Sequence, residues 1–187
     1  MIRSREDYLN YLEEDRKMLG APIFRWYHHF FIDEIWRFER TMRRCEYLTN
    51  VCGNSLWARF CRTVAYRNFK KQSIRLGFTI PPNTCGAGLR LVHYGCIIIH
   101  GKARIGEHCQ INAGVNIGMQ AGIDGAVPRI GNDVYIGPGA KLFGDIVIAD
   151  GCAIGANAVV THSCEQPRSV IIGIPARVCG TVQRKLF

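Results

Sequence analysis

The chain has 187 residues, 48% of them hydrophobic and 21% charged, with a formal net charge of +9. It holds no run of about 20 apolar residues, which excludes a membrane-spanning helix, and it is too apolar and too sparsely charged to be a disordered tail. The positive balance is compatible with an anionic partner but selects none.

No positively charged start leads into an apolar core and a small-residue cleavage site, so the sequence reads as that of a cytoplasmic protein. The cysteines at 45, 52, 61, 85, 96, 109, 152, 164 and 179 are odd in number and form no C-x-x-C pair. That distribution favours scattered reduced thiols over a disulfide framework or a zinc cluster.

Composition changes near residue 78. Fifteen of the 19 aromatic residues lie up to Phe78, and 17 of the 20 glycines lie beyond it. This divides the chain into an α-helical region, 1–78, and a second domain, 79–187. In the first part, Ser4 with Asp7 three residues on predicts a capped helix running to about Leu19, ended by Gly20-Ala21-Pro22. Pro22 suits the first turn of a second helix, with Ile23, Trp26, Phe30, Trp36, Phe38, Met42 and Cys45 at three-to-four spacing. His28 and His29 lie on that aromatic surface and read as structural. Gly53-Asn54-Ser55 breaks the pattern, and Leu56, Phe60 and Val64, followed by a basic run to Arg75, predict a third helix. The large aromatics of these helices are expected to bury one another or a partner subunit.

The second part carries a six-residue repeat. Ile99, Ile105, Ile111 and Ile117 are in phase. After a seven-residue offset the series resumes as Ile130, Ile136, Leu142, Ile148, Ile154 and Val160. Four residues after most of them sits a small or branched residue (Ala103, Cys109, Val115, Val134, Ala140, Ile146, Cys152, Ala158), and glycine often comes directly after the aliphatic residue. A period of six fits neither a 3.6-residue helix nor a two-residue strand alternation. It predicts a parallel β-helix in which three hexads complete a coil, with the aliphatic residue inside and glycine at the corner. Cys109 and Cys152 then read as core thiols. The offset implies a loop near 119–129. Backwards from Ile99 the phase demands aliphatics at 93, 87 and 81 and finds His93, Ala87 and Pro81. Such departures are where function is expected, and His93 is the first residue to question.

On these residues the chain resembles the hexapeptide-repeat acyltransferases, specifically the serine acetyltransferase family and its polysaccharide O-acetyltransferase relatives. The resemblance covers about Leu76 to Gly180. It rests on Ile80-Pro81-Pro82-Asn83-Thr84 with Gly88-Leu89, on His93-Tyr94-Gly95, on Ile117-Gly118, on Ile136-Gly137-Pro138-Gly139-Ala140-Lys141, and on Gly173-Ile174-Pro175-Ala176-Arg177.

The resemblance implies a left-handed β-helix preceded by helices, a homotrimer with active sites between subunits, and acetyl-CoA as co-substrate with no metal. It makes His93 the general base that takes a proton from a hydroxyl acceptor as that hydroxyl attacks the thioester. It places the cofactor along Gly118, Met119, Ala140, Lys141, Ala156 and Arg177, while Pro138 removes one backbone donor that some relatives use.

In the serine-specific members an aspartate precedes this histidine and an upstream acid orients it. Here Val92 precedes His93, Thr79 stands upstream, and no carboxylate lies between Glu46 and Glu107. An Arg-His pair at the loop's end in those members is replaced by Ala126-Val127-Pro128. The expected acceptor is therefore a sugar of a surface polysaccharide or its precursor, with Tyr94 stacking on the ring. Serine O-acetylation in cysteine biosynthesis is the alternative. His100 and His108 read as structural.

Two further classes compete. A γ-type carbonic anhydrase would need zinc-binding histidines, but 93, 100, 108 and 162 do not match that spacing. A non-catalytic scaffold would not need the intact His93 motif or the closing Gly-x-Pro-Ala-Arg. The basic stretch Arg59 to Arg75 accompanies no nucleic-acid reading module, so a solvated face, or contact with an anionic membrane near a lipid-linked glycan, is the better expectation for it.

Overall fold

The structure, a computed structural model, describes residues 1–20 and 33–183. Most of the expected second helix before Asp33, including His28 and His29, lies outside the described residues. Helix α1 (Arg5–Met18) starts where Ser4 Oγ accepts the Asp7 N–H at 2.9 Å, while Asp7 accepts the Arg3 N–H at 2.8 Å. Helix α2 (Glu34–Asn50) is capped by Asp33, whose carboxylate takes the N–H groups of Ile35 and Trp36. Helix α3 (Leu56–Leu76) is capped by Ser55 and ends at Gly77 in the left-handed conformation. Phe38 of α2 joins the helices to the start of the β-region, with ring centroids 5.5 Å from Phe69 and 5.1 Å from Phe78.

The face that α3 buries differs from the sequence expectation. Ala65, Phe69, Gln72, Ser73 and Leu76 point inward, while Leu56, Phe60 and Val64 are exposed. Among the described residues, it is the second half of the helix that buries a face. The apolar series that marks its beginning faces outward.

From Phe78 the chain winds into a three-sided β-helix. One side is the sheet β1 (Phe78–Thr79), β3 (Ile97–Ile99), β6 (Asn116–Gly118), β9 (Lys141–Phe143) and β12 (Val159–Val160). The second is β4 (Arg104–Ile105), β7 (Arg129–Ile130) and β10 (Val147–Ile148). The third is β2 (Arg90–Leu91), β5 (Gln110–Ile111), β8 (Tyr135–Ile136), β11 (Ala153–Ile154) and β13 (Ser169–Gly173), closed by the antiparallel strand β14 (Ala176–Thr181). All other pairings are parallel, and the register puts the repeat aliphatics on top of one another: Ile99 on Ile117 on Leu142 on Val160, and Ile111 on Ile136 on Ile154. These side chains and the small residues beside them, Cys109 and Cys152 included, are at most a few per cent exposed. Truncating one would cost about 2–5 kcal/mol, since stacked neighbours cannot collapse into the gap.

Two details correct the sequence reading. Gly106, Gly118, Gly131, Gly137 and Gly155 do not have positive φ. Glycine is required there by crowding: a Cβ on Gly137 would lie 2.7 Å from the Ile154 oxygen in the next coil, and one on Gly118 would lie 2.6 Å from the Phe143 ring. The left-handed residues stand instead just before the small interior position, as at His108, Asp133, Gly139 and Asn157.

The second correction concerns phase. Leu91 pairs with Ile111 and Ile99 stacks on Ile117, so eight residues join the first two positions where six join the second two. The inward residues of the first coil are Ile80, Cys85 and Leu91, all buried. His93 is therefore not a defective core position. It rides on a two-residue extension of a corner.

The first coil has a neighbouring coil on one side only, so half of its backbone groups would be left without partners. Helices α1 and α2 supply them. Asp15 accepts the Leu89 N–H at 2.8 Å, Glu46 the Asn83 N–H at 2.7 Å, and Glu39 the Leu91 N–H at 3.4 Å. Arg43 donates to the carbonyls of Cys85 (2.9 Å) and Gly86 (2.6 Å). The same guanidinium is held by Asp15 at 2.8 Å and Glu46 at 3.1 Å, and all four of these charged side chains are buried. Burial by itself would lower the pKa of Arg43, but the two carboxylates raise it well above the usual arginine value. Helices and β-helix are thus joined by a buried polar layer as well as by the aromatic contact.

Candidate active site

The corner between β2 and β3 carries Val92-His93-Tyr94-Gly95-Cys96. The Gly95 N–H donates to the Leu76 carbonyl at the end of α3 (3.1 Å), and the Ile97 N–H to that of Gly77 (3.2 Å). Gly95 has φ 124, and a Cβ on Gly77 would come within 3.2 Å of the Gly95 carbonyl. The helix end therefore sets the corner's shape. Val92 is half-buried, His93 is exposed and Tyr94 is 60% exposed. The His93 ring has no hydrogen-bond partner among the described residues, so no described acid fixes its tautomer.

The buried carboxyl under this strand is Glu39. One oxygen receives the Leu91 N–H two residues before His93, and the other has no hydrogen-bond partner among the described residues. Burial, reinforced by Asp15 and only partly offset by Arg43, pushes its pKa well above the usual glutamate range.

Three later corners stack on the first along one edge of the prism: Asn112–Gly114, Gly137–Ala140 and Gly155–Asn157. Gly95 faces the Ala113 methyl, Gly114 lies against Gly139, and Gly139 lies against Asn157. This edge is about 14 Å long at about 4.8 Å per coil, and it ends at the turn between β13 and β14. Of the residues named from sequence, Ala156 is exposed on this edge. Ala140 is inside the prism, with its N–H on the Gly137 carbonyl and its carbonyl on the Asn116 N–H. Lys141 is half-buried, its ammonium donating to the Gly114 carbonyl. Arg177 is exposed beside a cavity of about 270 Å³ that His162, Ser163, Cys164, Ile171, Ala176 and Val178 also line.

Gly118 and Met119 lie on the opposite edge of the same sheet, where the chain leaves for the loop 119–128. Met119 is 36% exposed, Ala126 and Val127 are buried, and Lys102 pairs with Asp124 at 3.1 Å to tie the loop tip to the preceding coil. The sequence reading thus named residues that fall on two edges. It missed the four buried charges at 15, 39, 43 and 46, which on a helix look like an ordinary solvated face.

The other described histidines have partners: His100 Nδ1 accepts the Lys102 N–H at 3.2 Å, His108 meets Glu14 of α1 at 3.2 Å, and the His162 Nδ1 lies 3.0 Å from the Thr161 hydroxyl. Among the described residues, no three His, Cys, Asp or Glu side chains are placed to hold a metal ion. Nor is any helix long and apolar enough to cross a membrane.

Comparison with known proteins agrees with this architecture. Residues 128–162 match the family described as bacterial transferase hexapeptide (six repeats). The serine acetyltransferase of Mycobacterium tuberculosis is 35% identical over 130 residues, 68% of this chain and 56% of that protein. Among solved structures, a Brucella abortus serine acetyltransferase in complex with coenzyme A superposes over 95% of this chain and 69% of its own, with TM-score 0.76 and 22% identity. Soybean serine acetyltransferase complexed with serine superposes over 94% and 69%, with TM-score 0.72 and 25% identity.

The fold is a left-handed parallel β-helix of hexapeptide repeats. Within that class its sequence relatives are serine acetyltransferases. It spans about half the length of the curated relatives it matches.

Proposed function

We propose that this chain is an acetyl-CoA-dependent O-acetyltransferase that works as a homotrimer in the reducing cytoplasm, with His93 as general base. The observation that carries the reading is the corner itself. In an otherwise regular stack, a two-residue extension pushes one imidazole into solvent at the head of an edge that runs past Ala156 to the turn between β13 and β14.

In the proposed reaction the acceptor hydroxyl gives its proton to the imidazole as its oxygen bonds to the acyl carbon. The C–S bond then breaks, and the departing sulfur takes the proton back. General-base help of this kind is worth about 10²–10⁴-fold, and no covalent enzyme intermediate is needed. Ala156 and Arg177 would lie along the cofactor from this edge, while Gly118 and Met119 would meet it from the loop edge of a neighbouring copy. Ala140 and Lys141 shape the wall from within rather than reaching out. Because no acid among the described residues reaches His93, a neighbouring copy supplies its orientation in this scheme.

For the acceptor, the comparisons favour serine over the sugar expected from sequence. The relatives are named for serine, and the soybean structure holds it. One observation supports the sugar reading: the histidine is flanked in sequence by the apolar Val92 and by a Tyr94 ring that is 60% exposed.

The deciding experiment measures free thiol released from acetyl-CoA with serine beside nucleotide sugars and oligosaccharides, for wild type and His93→Ala. Loss of at least about 100-fold in kcat, with coenzyme A binding and assembly retained, is expected. Full activity in His93→Ala refutes the mechanism.

A further inference from the structure

Helix α3 presents two features that the acetyl-transfer reading does not use. Its first half exposes Leu56 (84%), Trp57 (72%), Phe60 (58%) and Val64 (51%), with the Trp57 and Phe60 rings stacked at 5.6 Å. Positions 56, 60 and 64 recur every four residues and share one face, with Trp57 alongside. Farther along, the same outward side carries Arg67 and Lys71, with Arg59 and Lys70 flanking. The helix holds six basic residues and no acidic one. Arg62 is engaged by Asn54 at 2.9 Å and Arg75 by Glu34 at 3.3 Å. Arg59, Arg67, Lys70 and Lys71 have no carboxylate within ion-pair reach among the described residues.

A cluster of large exposed side chains at one tip of a uniformly basic helix calls for an occupant that satisfies both properties. A second copy that met this face with the same face would set two cationic helices against each other, so like charges oppose a symmetric pairing here. A nucleic acid would use the charge but leave the apolar tip in water. An anionic bilayer uses both, the rings entering the boundary between headgroups and acyl chains while the cations meet the headgroups. Among the described residues no helix is suited to spanning, so attachment through this helix is peripheral.

We infer that α3 is a membrane-docking element: Leu56, Trp57, Phe60 and Val64 insert into the interface of an anionic membrane, and Arg59, Arg67, Lys70 and Lys71 hold its headgroups. The inference stands apart from the acetyl-transfer reading, because neither set of residues lies on the His93 corner.

The test is co-sedimentation of the full chain with vesicles of phosphatidylcholine alone and of phosphatidylcholine mixed with phosphatidylglycerol. It is run at low salt and at about 0.5 M salt, where surface charges are screened within a few ångströms. Binding to the anionic vesicles at low salt, much reduced by salt and by omission of phosphatidylglycerol, is expected. Lys70→Gln with Lys71→Gln should weaken it about 30-fold, since each cation near the surface contributes about fivefold. Trp57→Ser with Phe60→Ser should weaken it about 100-fold, about tenfold for each ring withdrawn from the interface.

Both pairs are exposed, so circular dichroism and the thermal midpoint should match wild type. Acetyl transfer to a soluble acceptor should also be unchanged, which separates failure here from failure of the proposed reaction. Absence of binding to anionic vesicles at low salt overturns the inference, as does binding that either double variant leaves intact. It is equally overturned by a larger assembly that the Trp57 and Phe60 substitutions split, which would identify a second copy as the occupant.

Discussion

Asp15→Ala tests whether the buried polar layer holds helices and β-helix together. The substitution removes the carboxylate that lies 2.8 Å from Arg43 and accepts the Leu89 N–H at 2.8 Å, with both charged partners buried. Removing one member of a buried pair costs about 3–5 kcal/mol, most of it from the charge left behind. Arg43 keeps Glu46 and two backbone carbonyls, which places its share near the lower bound, about 3 kcal/mol. The stranded Leu89 N–H adds about 1–2 kcal/mol. The total is about 4–5 kcal/mol.

With a urea dependence of about 2.5 kcal/mol per molar, that lowers the unfolding midpoint by about 1.5–2 M. Protein concentration must be fixed, because any association of subunits adds to apparent stability. Asp15→Asn keeps an acceptor for Leu89 and should fall between the two. Asp145→Ala breaks the exposed Arg129 pair (3.0 Å) and should barely move the midpoint. An Asp15→Ala shift below about 0.5 M would refute the reasoning, because the helices would then be held by their apolar contacts alone.

Glu39→Gln probes the half-satisfied carboxyl in the same layer. Burial, with Asp15 and Asp33 reinforcing it and Arg43 and the Leu91 N–H opposing, holds its pKa above the ordinary 4.5. It therefore stabilises the fold below that pH and loses the contribution as pH rises toward the folded value. Thermal midpoints from pH 5 to 8 should show the glutamine variant gaining steadily on wild type, and a flat or reversed trend would contradict the assignment. Gly137→Ala puts a methyl 2.7 Å from the Ile154 oxygen, and a loss of about 1–3 kcal/mol in the same urea assay is expected. Alkylation with iodoacetamide at pH 8, read by mass spectrometry, should label the exposed Cys96 and Cys179 first. Cys85 and Cys109, pushed up to about 12 by burial, and Cys45 and Cys152, at about 11, should stay unmodified until the chain unfolds.

The interior of the β-helix was legible because its rule is local. An aliphatic residue every six positions meets its own kind one coil away, so spacing alone identifies Ile111, Ile136 and Ile154 as one column. Where residues are added at a corner, the phase is lost, and counting backwards from Ile99 lands on His93 although the core residue is Leu91. The histidine was found for a reason that geometry replaces: it marks an extension of the chain, not a substitution in the core.

The buried charges were not legible. Asp15, Glu39, Arg43 and Glu46 sit on helices at spacings that ordinarily face water, and what recruits them is the open edge of a coil 37 to 74 residues away in sequence. The α3 surface failed for a related reason. Apolar residues every four positions give a face, but not the end of the helix that has something to pack against.

The left-handed residues that precede most of the small interior positions, together with the tight spacing of coil on coil, make each inner strand answer to the strands above and below it. Material added at a bend is invisible to that bookkeeping, as the extension at His93 and the excursion between Gly118 and Arg129 both illustrate. A lineage built this way can lengthen, shorten or re-aim its bends without retuning the column of aliphatics. New reactivity can therefore arise at any of three edges while the rod that presents it stays the same.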